Sequence, residues 1–187
     1  MPAETNAATH HMLRVVSVAE LVGIVNPLTQ PDGTVDTFYT ATDGFQGLGV
    51  GRHAPAGDVA RLAGHMAEAV DGSPMPVVEW PALLRTLGED LVGALVRVSP
   101  TSVRRYASGT RRTPDDVADR LHTVALVVAS LNGSYNDVGV RRWFHRPRTA
   151  LNGNAPADVL GGEWSSDDAD VVAVRVLADS LLGAAAG

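Results

Sequence analysis

Apolar residues recur every three or four positions through the second half of the chain, a spacing that places them along one face of an α-helix. Glycine or a capping residue bounds each segment, as is typical of helix ends. The pattern predicts helices over residues 79–88, 89–97, 100–108 and 113–131, then one around Trp143 and a last one beginning after a cap at Ser165 or Ser166. We therefore expect a mainly α fold.

The first half gives a weaker pattern. Residues 1–12 are polar, alanine-rich and aperiodic, which predicts a disordered tail. Residues 13–25 are apolar and fit either a short helix or a buried strand, because a short apolar run does not distinguish the two. Residues 34–42 have strand propensity, residues 43–58 are a glycine-rich loop, and residues 55–71 have helical spacing before Gly72.

A proline-bearing connector, "SPMPVV", separates the weakly patterned first half from the helical second half. It predicts an N-terminal extension that is α/β or irregular and has no assigned role, followed by two small helical units. The predicted divisions are a tail at 1–12, the extension at 13–77, a helix-turn-helix domain at 78–133 and a C-terminal helical domain at 134–187.

Two short helices lie in series at Glu89–Arg97 and Pro100–Ser108, joined by a tight turn. Ser99 is suited to cap the second helix, and Pro100 suits its first position. This spacing is that of a helix-turn-helix, in which the second helix enters the major groove of DNA. The inner face of the second helix would carry Val103, with Tyr106 or Ala107.

Charge is segregated along the chain. The formal net charge is −6 and lysine is absent, yet residues 85–148 hold eleven of the fifteen arginines and only six of the twenty-one acids. That span carries +5 and the rest of the chain carries −11. An acidic protein can therefore still present one basic face to a phosphate backbone.

The outer face of the second helix combines arginines with hydroxyls, and a basic loop follows it. Arginine can bind guanine in a bidentate manner, and both residue types bind phosphates. An ordinary solvated surface helix is the alternative interpretation. The predicted DNA contacts are Thr101, Ser102, Arg104, Arg105, Ser108, Arg111 and Arg112.

The stretch "LGEDLVGALVRVSPTSVRRYASGTRRTP" resembles the Xre-type (Cro/repressor-like) helix-turn-helix. The stretch "VRRWFHRPRTALNGNAPADVLGGEW" resembles the toxin-binding domain of the Xre/MbcA/ParS antitoxins. The resemblance spans residues 80–182 and leaves residues 1–77 uncovered. The positions that match the C-terminal motif are Trp143, Pro147, Leu151, Gly153, Pro156 and Leu160.

The resemblance implies an antitoxin of a type II toxin–antitoxin pair. Such a protein blocks a RES-type toxin that degrades NAD⁺ and represses its own operon as a homodimer on double-stranded operator DNA. A stand-alone transcriptional regulator with the same domain pair is the alternative, and a scaffold that no longer contacts DNA is a third. Trp143 is expected to pack in the core, and Gly153 and Pro156 to shape turns. The candidate toxin-binding residues are Arg141, Arg142, His145, Arg146 and Arg148.

The residues give little support for a phosphate-binding loop, a metal site or an enzyme active site. The loop "GFQGLGVGRH" matches neither phosphate-binding glycine motif, and His53 and His65 are too far apart in sequence for a typical metal pair. The chain contains no cysteine. We expect no enzymatic activity, no cofactor, no metal, no membrane association and a cytoplasmic location.

Overall fold

The computed structural model describes residues 14, 15, 17, 18, 64, 65, 67–132 and 134–181, and these residues are mainly helical, as predicted. They contain helices and turns but no strand. A short 3₁₀ turn, Thr149–Leu151, precedes α6. The helices from residue 76 onward are α1 (Pro76–Leu87), α2 (Glu89–Val96), α3 (Pro100–Ala107), α4 (Asp115–Asn132), α5 (Asp137–Phe144), α6 (Pro156–Gly161) and α7 (Ala169–Asp179).

Two N-terminal pieces are also helical. Residues 14, 15, 17 and 18 are helical, and so are 64, 65 and 67–71, which end at Gly72 as the sequence predicts. The predicted tail at 1–12, strand at 34–42 and glycine-rich loop at 43–58 lie outside the described residues.

Backbone conformation sets the ends of α2 and α3. Gly88 separates α1 from α2 with φ +83, a left-handed value that glycine adopts without strain. Arg97 adopts the left-handed conformation (φ 59, ψ 47), so α2 ends one residue earlier than expected. Ser99 caps α3 as predicted, because its hydroxyl accepts a hydrogen bond from the Ser102 amide at 3.2 Å.

Three helix starts differ from the sequence expectation. α1 begins at Pro76, three residues before its predicted start, because a proline is tolerated in the first turn of a helix. α4 begins at Asp115, and the Thr113 hydroxyl accepts a hydrogen bond from the Trp80 indole at 3.0 Å. The last helix begins at Ala169, not directly after a serine cap, and its N-cap residue is Asp168. The Asp168 carboxylate accepts from the Ser165 amide at 2.8 Å, which holds residues 165–168 as a turn before the helix.

One hydrophobic core joins helices α1 to α7. Trp80, Leu121, Trp143, Leu160 and Val174 are each at most 2% exposed and belong to the same cluster. Trp143 is therefore a packing residue, as expected. The motif glycine is also where predicted, since Gly153 has φ +86 in the turn before α6.

Hydrogen bonds fix the C-terminal helices to the rest of the core. The Trp164 indole donates to the carbonyls of Leu95 at 3.2 Å and Leu160 at 2.6 Å, so it ties the C-terminal segment to α2. No helix among the described residues is long and apolar enough to span a bilayer.

Candidate nucleic-acid interface

A close backbone approach positions α3 against α2. A Cβ built on Gly93 would lie 3.0 Å from the Val98 carbonyl oxygen and 3.4 Å from a methyl of Val103. A larger residue would crowd the turn and Val103, so this glycine permits the close approach of the two helices. Val103 is fully buried in the contact.

The inner face of α3 is apolar as the sequence predicts. Val103 and Tyr106 are buried, and Ala107 is only partly so. The Tyr106 ring stacks on Trp80 of α1 with ring centroids 5.9 Å apart. Because these contacts fix the rotation of α3, its opposite face is held toward solvent.

The two arginines of that outer face differ in their surroundings. Arg104 Nε donates to Glu89 Oε1 at 2.9 Å, so a carboxylate from the start of α2 already compensates its charge. Arg105 is exposed and has no ion-pair partner among the described residues. Arg105 is therefore the cation on α3 that is directly available to a phosphate or a base.

The hydroxyl groups on the outer face of α3 also differ in exposure and in whether they already bond within the protein. Thr101 is exposed in the first turn of α3. Ser102 is only partly exposed, and its hydroxyl accepts from that of Ser99 at 3.1 Å. The Ser108 hydroxyl lies 2.8 Å from that of Thr110. All three residues flank the arginines. Thr101 differs from the two serines because its side chain has no hydrogen bond among the described residues.

The loop after α3 folds back on it. The Arg111 amide donates to the Arg105 carbonyl at 3.1 Å, and the Arg111 guanidinium lies 5.6 Å from the Tyr106 ring centroid. Arg112 is exposed and paired with the equally exposed Asp115 at 3.1 Å. The loop arginines therefore adjoin the carboxyl end of α3 and add positive charge to this part of the chain.

The C-terminal arginines do not form one uniform patch. Arg141 donates to the Thr86 carbonyl at 2.6 Å. The guanidinium of Arg148 lies 5.3 Å from the Trp143 ring centroid, and its Nε is buried. The guanidinium groups of these two arginines therefore already contact other parts of the protein. Arg142, His145 and Arg146 are exposed at the carboxyl end of α5.

A buried polar cluster that the sequence analysis missed lies between α1 and α4. His122 of α4 and Glu79 of α1 are 4% and 0% exposed, and His122 Nδ1 lies 2.6 Å from Glu79 Oε1. His122 Nε2 lies 3.0 Å from the Asp71 carbonyl, which can only accept, so Nε2 carries a proton. A histidine within the largely apolar stretch 121–131 was the available signal, since a buried imidazole needs partners.

The environment of His122 favours its protonated form. Burial alone lowers the pKa of His122, but the hydrogen bond and charge of Glu79, with the carbonyls of Asp71 and Val70, outweigh it and raise the pKa above its ordinary value. In its protonated form the imidazole donates from Nδ1 to the Glu79 carboxylate and from Nε2 to the Asp71 carbonyl.

Ion pairs extend this cluster to the N-terminal helical residues and to α7. The Asp71 carboxylate accepts from Arg14 at 2.9 Å and from Arg175 at 3.0 Å. Arg14 also pairs with Asp179, which accepts from the Ser130 hydroxyl at 2.6 Å. Asp71 therefore joins the segment before α1 to both α4 and α7.

Searches of family models, curated proteins and solved structures give no significant match to this chain.

Proposed function

We propose that this chain is a helix-turn-helix DNA-binding protein that acts as an antitoxin. In this proposal α3 enters the major groove, the chain represses its own operon as a homodimer, and the C-terminal helices bind a RES-type toxin. The main support for the DNA-binding function is the fixed orientation of α3. Its apolar face is locked on Trp80 and Gly93, while Thr101 and Arg105 face solvent.

The chemistry of the outer face suits duplex DNA. Arg105 can bind guanine O6 and N7 or a phosphate, and Arg111 and Arg112 lie where the DNA backbone would pass. Arg104 would exchange Glu89 for a phosphate on binding. α3 itself contains no acidic residue, so no carboxylate on the helix opposes the DNA.

The antitoxin part rests on the resemblance of residues 140–164 and on exposed apolar side chains near the C-terminal end of the fold. Protein interfaces are built around apolar anchors. On the C-terminal helices, α7 exposes Val172 and Val176, and the start of α5 exposes Val138 beside Tyr135. These side chains supply the apolar contact that a protein partner would need.

The DNA-binding part is tested by selecting duplexes from a random pool and then measuring affinity against salt. Arg104→Ala/Arg105→Ala should abolish the selected preference, and the slope of log affinity against log salt should shrink by about 0.9 for each phosphate that the variant no longer binds. Arg97→Gly is a matched control, because Arg97 is paired with Glu163 and already has the left-handed backbone that glycine adopts. Unchanged affinity and slope in the double variant would overturn the assignment of α3.

The antitoxin part is tested by purifying the full-length tagged chain from its native cell and assaying the co-purified protein for NAD⁺ consumption. We expect a stoichiometric partner that consumes NAD⁺ only after it is separated from this chain. A chain that binds DNA but carries no such partner would be a stand-alone regulator. The full chain is needed, because truncation at residue 140 would remove Trp143, Leu160 and Val174 from the shared core.

A further inference from the structure

We propose that the carboxyl end of α5 is a second DNA contact, in which Arg142 and Arg146 bind backbone phosphates beside the groove that α3 occupies. This inference rests on the proposed DNA-binding function. It assigns these two residues to DNA and not to a toxin. The evidence is their position, their lack of compensating acids among the described residues and the absence of large exposed apolar side chains at the described carboxyl end of α5.

An arginine of α5 and an arginine of α3 both bond to the corner between α1 and α2. Arg141 of α5 donates to the Thr86 carbonyl at 2.6 Å, and Arg104 of α3 donates to Glu89 at 2.9 Å. Thr86 and Glu89 are three residues apart, so their Cα atoms lie at most about 11 Å from each other. Both helices are therefore anchored to one short segment, and in this proposal a duplex on α3 extends past that segment to meet the carboxyl end of α5.

Arg142 and Arg146 also differ from the arginines that have an acidic partner within the chain. Arg97, Arg112 and Arg120 each pair with a carboxylate. Arg142 and Arg146 are exposed and have no ion pair within the part of the chain that the structure describes. Residues 141–148 contain four arginines and no acid. This local excess of positive charge would be neutralised by phosphates.

The surroundings of these arginines favour DNA over a protein partner. The neighbouring exposed residues at this end of α5 are His145 and Pro147. The exposed apolar residue of α5 is Val138, in its first turn at the other end of the helix. Interfaces between proteins have apolar cores, whereas those with DNA are more polar and strongly positive.

The experiment measures binding of the full-length chain to a labelled mixed-sequence duplex of about 30 base pairs, roughly three helical turns, across a salt series. Arg142→Ala/Arg146→Ala should shrink the slope of log affinity against log salt by about 1.8, or 0.9 per phosphate. Arg142→Lys/Arg146→Lys should keep most of that slope, because binding to a phosphate requires charge more than shape. The preference for selected sequences should be unchanged in both variants.

The control is Arg97→Gly/Arg120→Gln, which changes the net charge equally but removes arginines already paired with Glu163 and Asp116. The inference is overturned if the slope of Arg142→Ala/Arg146→Ala matches that of this control while Arg104→Ala/Arg105→Ala reduces it. That outcome would leave the function of α3 intact. If the wild-type chain shows no salt-dependent binding, the proposed DNA-binding function itself fails.

Discussion

The buried cluster at Asp71, Glu79 and His122 and the exposed surface of α3 use the same kinds of side chain in opposite ways. In the cluster, each charged group has a compensating partner within the protein, such as Arg14 and Arg175 on Asp71. On the surface, Arg105 has no acidic partner among the described residues. Charge is neutralised within the protein throughout the cluster, whereas the α3 surface leaves Arg105 for an external partner.

This difference separates stability from recognition. A buried charge without a partner costs several kcal/mol, so the cluster tolerates little change. An exposed arginine contributes little to stability, and its removal should affect mainly what the protein binds. Substitutions of matched chemistry in the two regions should therefore give effects that differ in both size and kind.

The largest effect is expected for Glu79→Ala. It leaves the buried His122 without the partner of its Nδ1, and removing one member of a buried pair typically costs about 3–5 kcal/mol. Urea unfolding of the full chain measures this free energy. Glu89→Ala is the matched control, since it removes a partly exposed carboxylate paired with Arg104 and should cost less than about 1 kcal/mol.

Equal destabilisation in these two variants would refute the distinction between the regions. The variant Glu79→Leu/His122→Leu sharpens the test further. Replacing both partners of a buried pair by apolar residues is often neutral or stabilising. We therefore expect the double variant to recover much of the stability that Glu79→Ala removes.

The second effect concerns pH. Because the folded-state pKa of His122 lies above the ordinary 6.5, the native state holds this proton more tightly than the unfolded chain does. The resulting stability is fully present below about pH 6.5 and is lost as the pH rises through the folded pKa, at up to about 1.4 kcal/mol per pH unit. Urea midpoints measured between about pH 6 and pH 9 should fall accordingly.

Glu79→Gln is the control for this pH dependence. It removes the carboxylate whose hydrogen bond and charge raise the pKa of His122. The fall in stability above pH 6.5 should then be much smaller than in the wild-type chain. If the two proteins lose stability equally over this range, His122 is not the group responsible.

The helical second half was predictable from the sequence because its signals are local. Ser99 and Pro100 mark the start of α3, and the three-to-four spacing identifies Val103 and Tyr106 as its buried residues. Errors of one to a few residues occurred where a side chain had a different hydrogen-bond partner. Thr113 accepts from Trp80, and Asp168 turns back to the Ser165 amide.

The long-range polar contacts could not be derived in this way. Glu79 and His122 are 43 residues apart, and Arg14 and Asp179 are 165 apart, so no periodicity relates them. The sequence also predicted Arg104 and Arg105 as equivalent DNA contacts. Only the fold brings Glu89 to Arg104 and leaves Arg105 without an acidic partner among the described residues.

The smallest effect is expected for Glu89→Gln, because Glu89 pairs within the protein with an arginine of the proposed DNA surface. It releases Arg104 and removes a negative charge next to the proposed DNA surface. An exposed ion pair contributes about 0.2–1 kcal/mol, so DNA affinity should rise by up to about fivefold. Asp90→Asn removes the same charge one residue later without freeing an arginine. Fluorescence anisotropy at fixed salt should show a larger gain for Glu89→Gln than for Asp90→Asn. Equal gains would mean that general repulsion, and not the Glu89–Arg104 pair, limits binding by α3.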